Sequence, residues 1–265
     1  MRNYNPEGSA LRKDQLEMLK ALEAFARICR ENDIQWWLCS GTLLGAARHK
    51  GFIPWDDDMD ISMFDEDYKK LEKILVRMDD EDYFYQCIKS DPEHVNVFGK
   101  FRKKNDPVFA ADQRSKYFKY QGVGLDVFSL EKSNRFAAHM AKFLYQNLIH
   151  PTQYIKSRFW RHFAIKSVQL LNFGLLIPLC RLIGCINHKG QYRYKLGSGF
   201  YQCGFSEEDI LPLRTMEFEG IEFPVPGNTD AYLTKIYGDW RKLPSEEQIR
   251  KTMHYPLYIK EIFGE

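Results

Sequence analysis

Between residues 132 and 206 this sequence has no aspartate and no glutamate, while the same span carries eleven lysines and arginines. Taking those eleven from the 38 basic residues of the whole chain leaves 27 against 36 acidic residues elsewhere, a formal −9 within a net charge of +2. The chain therefore reads as an acidic part and a basic part. None of the six cysteines, Cys29, Cys39, Cys87, Cys180, Cys185 and Cys203, stands in a C-x-x-C pair. Neither a disulfide framework nor a structural zinc site is expected, and the thiols read as reduced and cytosolic. No charged segment followed by an apolar run opens the sequence, so no secretory signal is expected. The longest apolar stretch, 168–186, is cut by Pro178 and Arg181. It falls short of the roughly 20 mostly apolar residues that span a bilayer. Basic and aromatic residues interleave at 154–167, but no nucleic-acid module accompanies them, and no nucleic-acid partner is expected.

What is present suffices for a sizeable core: 44% hydrophobic and 15% aromatic residues in a chain of 265. Met18, Leu22, Phe25 and Cys29 recur at helical spacing and predict a helix over 10–32. Residues 34–39, with Trp36 and Trp37, read as a first strand, its tryptophans core on one side and aromatic surface on the other. Gly41 breaks that strand, and Thr42 opens a short helix whose N-terminal N–H groups suit an anion. Residues 58–63 read as a second strand, followed by a helix over 66–79 with Asp65 as N-cap. Asp79, Asp80, Glu81 and Asp82 are a solvated helix end. Residues 83–88 and 95–101 are candidate strands. A helix over 133–150 is expected to bury Phe136, Met140, Phe143 and Leu144. Residues 218–227 read as a hairpin, and 230–237 as a short helix ended by Gly238.

The chemistry gathers at 40–61. A small-residue turn is followed by Arg48, His49 and Lys50, which can neutralise phosphate oxygens. Asp58 and Asp60 lie two apart, so on a strand both face one way, with Met59 and Ile61 facing the core. Adjacent carboxylates repel unless a cation sits between them, and Mg²⁺ or Mn²⁺ suits oxygen ligands. A later strand at 123–129 points Val123, Leu125 and Val127 one way and Asp126 the other. A lone Asp in an apolar strand is costly unless bonded, so Asp126 is the candidate third ligand, with structural ion pairing as the alternative. Lys100 or Arg102, on a strand expected beside the acidic one, would face the phosphates.

The strings Gly41-Thr42-Leu43-Leu44-Gly45 and Arg48-His49-Lys50-Gly51-Phe52-Ile53-Pro54-Trp55-Asp56-Asp57-Asp58-Met59-Asp60-Ile61 closely resemble the LicD family. Gly124-Leu125-Asp126-Val127-Phe128, Phe218-Glu219-Gly220 and Tyr237-Gly238-Asp239 match it as well. The resemblance covers most of 10–130 and 205–255. It implies an α/β (α+β) nucleotidyltransferase-like mixed-sheet core. The expected division is a catalytic core over 1–131, a mainly helical basic insertion over 132–204, and a C-terminal segment over 205–265 that packs on the core. It also implies a metal-dependent transferase. Asp58, Asp60 and Asp126 would be metal ligands and catalytic residues. Gly41 and Thr42 would contact substrate on the same resemblance, while Arg48, His49, Lys50, Lys100 and Arg102, by their charge, and His254 are the further candidate substrate contacts. Thr42 stands where the superfamily usually has Ser, which keeps the hydroxyl, and the roles of Asp56 and Asp57 stay open.

Family members look like enzymes that move phosphocholine from CDP-choline to a cell-surface glycan precursor such as teichoic acid or lipopolysaccharide. The alternatives are another CDP-alcohol donor (ribitol, glycerol or ethanolamine phosphate), nucleotidyl transfer from an NTP, or a non-catalytic nucleotide- or metal-binding adaptor. The basic, apolar 154–186 region is expected to hold the protein peripherally on an anionic membrane surface, the inner face of a bacterial plasma membrane, beside a lipid-linked acceptor. A buried helical hairpin is the competing expectation for that region.

Overall fold

The structure is a computed structural model that describes residues 3–107 and 117–264. Helix α1 (Ala10–Glu31) starts at Ser9, whose hydroxyl accepts from the Arg12 N–H at 3.2 Å. Its buried stripe includes Leu11, Met18, Leu22, Phe25 and Cys29. After it come β1 (Trp37–Leu38), α2 (Ser40–His49), β2 (Asp60–Phe64), α3 (Asp65–Leu75), β3 (Tyr83–Gln86), β4 (Gly99–Pro107) and β5 (Gly122–Lys132). These strands form one sheet in the order β1-β2-β5-β4-β3. Only β2 and β5 run parallel among those neighbours. The α1 stripe packs beneath β4 and β5.

The helical part holds α4 (Arg135–Leu144), α5 (Arg158–Leu171) and α6 (Ile177–Cys185), after which β6 (Tyr192–Tyr194) pairs with the end of β5. The chain closes with α7 (Glu207–Ile210), β7 (Arg214–Phe218), β8 (Ile221–Val225), α8 (Thr229–Tyr237), α9 (Glu246–Thr252) and α10 (Pro256–Phe263). The expected hairpin is β7–β8, turning through Glu219 and Gly220, both at positive φ. Its apolar face covers Trp36, 6.2 Å from Phe223, so both tryptophans are core and neither presents an aromatic surface.

Several boundaries differ from expectation for physical reasons. The first strand shrinks to Trp37 and Leu38, which pair with Ser62 and Ile61 of β2, and it stops there because Ser40 turns at φ 47° and α2 begins at once. The second strand starts at Asp60 rather than 58, because Asp57 is held by the backbone of His254 and Tyr255. The fourth starts at Gly99 rather than 95, because the buried His94 ring bonds the Phe98 carbonyl at 2.8 Å and closes a loop there.

Helix α4 buries only part of the expected face: Met140 and Leu144 pack against the buried cluster, but the two phenylalanines do not. Phe136 and Phe143 are 63% and 64% exposed, and Ala137, Ala138 and Ala141 point inward. Helix α6 crosses too close for aromatics: a Cβ on Gly184 would lie 2.8 Å from the Ser133 hydroxyl and 3.4 Å from Ala137 Cβ. Pro178 does not break the helix that holds it. A wide π-helical turn at Asn172–Leu176 sits between α5 and α6, and the helix continues from Arg158 to Cys185. By length and composition that 28-residue helix is sufficient to cross a membrane. Arg161, expected on its basic surface, is buried instead, its Nε 2.8 Å from Glu93 Oε2.

Candidate active site

The register of three strands builds the centre of the site. Asp60 on β2 is the partner of Asp126 on β5, and Asp126 is the partner of Lys100 on β4. Partners on neighbouring strands lie about 5 Å apart and face the same way. The row Asp60–Asp126–Lys100 therefore crosses the sheet on one face, and Lys100 Nζ donates to the Asp126 carboxylate. Gly124 lets β5 press onto β4 beside that row, since a Cβ there would lie 2.0 Å from the Phe101 carbonyl oxygen.

The first turn of α2 abuts the row. Thr42 is buried, and its Oγ1 accepts from the Asp60 N–H at 2.8 Å. Its hydroxyl thus fixes the start of β2 from behind. Ser40 is buried next to it, its hydroxyl 3.5 Å from that of Tyr194. Gly41 leaves room for Asp56: a Cβ would stand 2.8 Å from Asp56 Oδ2. A carboxylate at a helix N-terminus meets unpaired N–H groups and the positive end of the helix dipole.

Asp57 points away from this centre. Its side chain is 1% exposed and accepts from the His254 N–H at 2.6 Å and the Tyr255 N–H at 3.1 Å. The His254 ring Nδ1 lies 2.8 Å from Asp57 Oδ1 and 3.7 Å from Asp58 Oδ2. The hydrogen bond with Asp57 lifts His254 to about 9, so the ring is a cation at neutral pH. Asp57, Asp58 and His254 bring ligand atoms within 4.8 Å of one another. That trio is a candidate set for a cation in its own right, and it shares Asp58 with the carboxylates that flank the row.

Burial raises the carboxyls of Asp56, Asp58 and Asp60 above the usual range, and their mutual repulsion adds to it. His254 pulls Asp58 back down, and Lys100 does the same for Asp60. The donor set is all oxygen and short of positive charge, which fits a hard divalent cation. Asp58, Asp60 and Asp126 face one cleft of about 960 Å³, together with Gly41, Arg48, Asp56, Lys100, Arg102 and His254.

Not every expected contact residue reaches that cleft with a usable group. Arg48 donates to the Trp240 carbonyl at 3.2 Å, and among the described residues its buried Nε has no partner. Arg102 lines the cleft, but its Nε and one terminal nitrogen donate to Gln86 Oε1 and the Gly122 carbonyl, each at 2.8 Å. His49 packs edge-on toward Trp55, and Lys50 pairs with Glu217 at 3.3 Å; neither lines the cleft. Tyr201 and Tyr237 do line it, hydroxyls 3.3 Å apart; Tyr237 stands in the Tyr237-Gly238-Asp239 segment that resembles the family, whereas no sequence signal marked Tyr201. Ser40 could have been singled out as the hydroxyl beside Gly41.

The family model described as LicD/FKTN/FKRP, nucleotidyltransferase domain, matches residues 33–170. That span takes in α4 and most of α5. The lipopolysaccharide cholinephosphotransferase LicD of Haemophilus influenzae is 28% identical over 96% of this chain and 97% of its own length. The human ribitol 5-phosphate transferase FKRP is 40% identical over 60 residues, 21% of this chain and 12% of that protein.

Proposed function

The chain belongs to the LicD family and is a LicD-like phospho-alcohol transferase; from that premise we propose that it moves phosphocholine from CDP-choline to a hydroxyl of a cell-surface glycan precursor, releasing CMP. The observation that carries this reading is the Asp60–Asp126–Lys100 row, with Asp58 and Asp56 beside it, facing a cleft large enough for a nucleotide donor and an acceptor. Similarity to the Haemophilus cholinephosphotransferase along almost the whole chain supports choline over other alcohols. The short FKRP similarity keeps ribitol phosphate as the second reading.

In the proposed reaction the acceptor hydroxyl attacks the choline-bearing phosphorus in line. A new P–O ester forms, the diphosphate P–O bond breaks, the hydroxyl proton is lost and CMP leaves. A Mg²⁺ or Mn²⁺ ion held by Asp58, Asp60 and Asp126 would neutralise diphosphate charge and lower the pKa of the hydroxyl. Arg48 lines the cleft and would add positive charge beside the phosphates. Protonated His254 adds positive charge at the rim beside Asp58. Thr42 holds Asp60 in place. Asp57 acts on the chain rather than on substrate, tying the His254 segment to the catalytic loop. The same reading divides the chain into a core over 1–131, a helical unit over 132–204 and a C-terminal segment over 205–265, and places the protein at the inner face of a bacterial plasma membrane.

The test is product detection with Mg²⁺ or Mn²⁺ present. CMP from CDP-choline supports the proposal. CMP from CDP-ribitol, CDP-glycerol or CDP-ethanolamine alone moves the assignment to that alcohol. Pyrophosphate from CTP replaces it with nucleotidyl transfer, and no product in any arm supports a binding role.

A further inference from the structure

We propose that α4, α5 and α6 form a docking surface that lies within the headgroup boundary of an anionic lipid bilayer and does not cross it. The surface would set the cleft beside a lipid-linked acceptor, a consequence that rests on the transferase reading, whereas the docking itself does not.

The outer face of the α5–α6 helix is mostly apolar, interrupted by Lys166 between Phe163 and Leu170. Phe159, Phe163, Leu170, Leu175, Leu182 and Ile186 are between 59% and 78% exposed, at helical spacing on one side. Phe136 and Phe143 of α4 add to the exposed aromatic surface. Soluble proteins rarely leave an apolar patch this long uncovered.

The inner face shows why this helix lies flat. Arg161 is bonded to Glu93, the Gln169 amide donates to the His94 carbonyl at 3.1 Å, and Asn134 donates to the Ile183 carbonyl at 2.7 Å. Arg161, Gln169 and Asn172 are buried on this side. A helix turned upright to span would break those bonds and offer an arginine, a glutamine and an asparagine to lipid. Lying flat keeps them in the protein and gives the bilayer only the apolar side.

Charge selects the occupant. The region has no acidic residue between 132 and 206, and Lys156, Arg158, Lys166 and Lys189 are exposed around the apolar face. A second copy of this chain docked face to face would set basic strip against basic strip. Anionic headgroups complement it. Exposed Trp160, beside Arg158, suits the headgroup level. The segment that links α4 to α5 supplies Tyr145 and Gln153 to the cleft wall, so the docking surface and the catalytic cleft share a structural unit.

The full-length protein is co-sedimented with phosphatidylglycerol-containing vesicles and with pure phosphatidylcholine vesicles. The expected result is binding at least about tenfold stronger to the anionic vesicles, weakened by salt. Leu170→Glu/Leu182→Glu abolishes it and Lys156→Ala/Arg158→Ala/Lys166→Ala weakens it, with the melting temperature and CMP release from CDP-choline in detergent unchanged. Cells expressing the full chain release it from membranes on alkaline carbonate extraction. Absence of vesicle binding, equal binding to both vesicle types, retention after carbonate, or a dimer that Leu170→Glu dissolves each overturns the proposal. Vesicle binding needs no turnover, so failure of the transferase reading leaves this result standing.

Discussion

Asp60→Asn is expected to stabilise the metal-free protein while destroying its activity. Asp60 lies within one strand spacing of Asp126, and Asp58 precedes it by two residues. Burial and these two neighbours raise its carboxyl, and Lys100 only partly offsets them. Two unit charges about 5 Å apart at an effective dielectric of about 20 repel by about 3 kcal/mol. Lys100, already bonded to Asp126, and partial protonation cut that figure. A net relief of about 1–3 kcal/mol remains when the charge is replaced by an isosteric amide that still accepts hydrogen bonds. For a chain of this size each kcal/mol moves the melting temperature by roughly 2–4 °C. The amide variant should thus melt several degrees above the wild type in chelator. Adding Mg²⁺ or Mn²⁺ should raise the wild type and leave the variant nearly unmoved, because binding to the native state alone stabilises by mass action. CMP release should fall to background. A variant that melts with or below the wild type in chelator, or a wild type indifferent to both ions, would refute the repulsion argument.

Asp126→Asn should abolish CMP release and leave a folded protein by circular dichroism; full activity would remove Asp126 from the site. Glu219→Gln should cost about 1–3 kcal/mol in a urea titration, because Glu219 takes two hydrogen bonds from Arg12, at 2.6 and 3.1 Å, and a third from the Phe52 N–H at 3.1 Å. Turnover should drop with it, since that carboxylate clamps the loop leading to Asp56. Asp65 gives a pH test away from the cluster. Burial works against its ionisation, but Lys195, Lys69 and Ser129 outweigh burial and hold the carboxyl at about 2. A lowered carboxyl stabilises above its unfolded value and loses that contribution as pH falls through the folded value. Asp65→Asn should therefore cost about 1–2 kcal/mol near pH 6, and the gap to wild type should close toward pH 2.

The sequence made the carboxylate row legible because strands alternate. Val123, Leu125 and Val127 needed one face, which left Asp126 the other, and Met59 and Ile61 did the same for Asp60. It could not supply the register that sets Asp60 against Asp126 and Lys100, because pairing depends on where distant segments meet. The same limit hid Asp57, whose partners His254 and Tyr255 lie almost two hundred residues on. The Arg48-His49-Lys50 run read as one phosphate-facing group, yet Arg48 and His49 point about 100° apart on α2 and Lys50 leaves the helix at φ 55°, so the fold sends Lys50 to Glu217 and Arg48 to the cleft. Helix α4 misled for another reason. Aromatic residues normally mark the inward face, but at the close crossing with α6 the fully buried positions of α4 are alanines, with Met140 and Leu144 packing at the edge.

The buried Arg161 bears on how the basic and acidic parts of the chain are joined. Its partner Glu93 is 6% exposed and belongs to the loop that leads into β4, the strand carrying Lys100 and Arg102. A pair this dry is costly to break, about 3–5 kcal/mol, because one charge is left alone in the core. Gln169 reaches the same loop through the His94 carbonyl. The helical unit is therefore fastened to the strand that positions the site cations, by two polar ties about two turns apart on a single helix. Arg161→Ala should loosen α5 from that loop as well as remove a charge, so it tests anchorage rather than surface attraction. The exposed Lys156, Arg158 and Lys166 can change without disturbing β4.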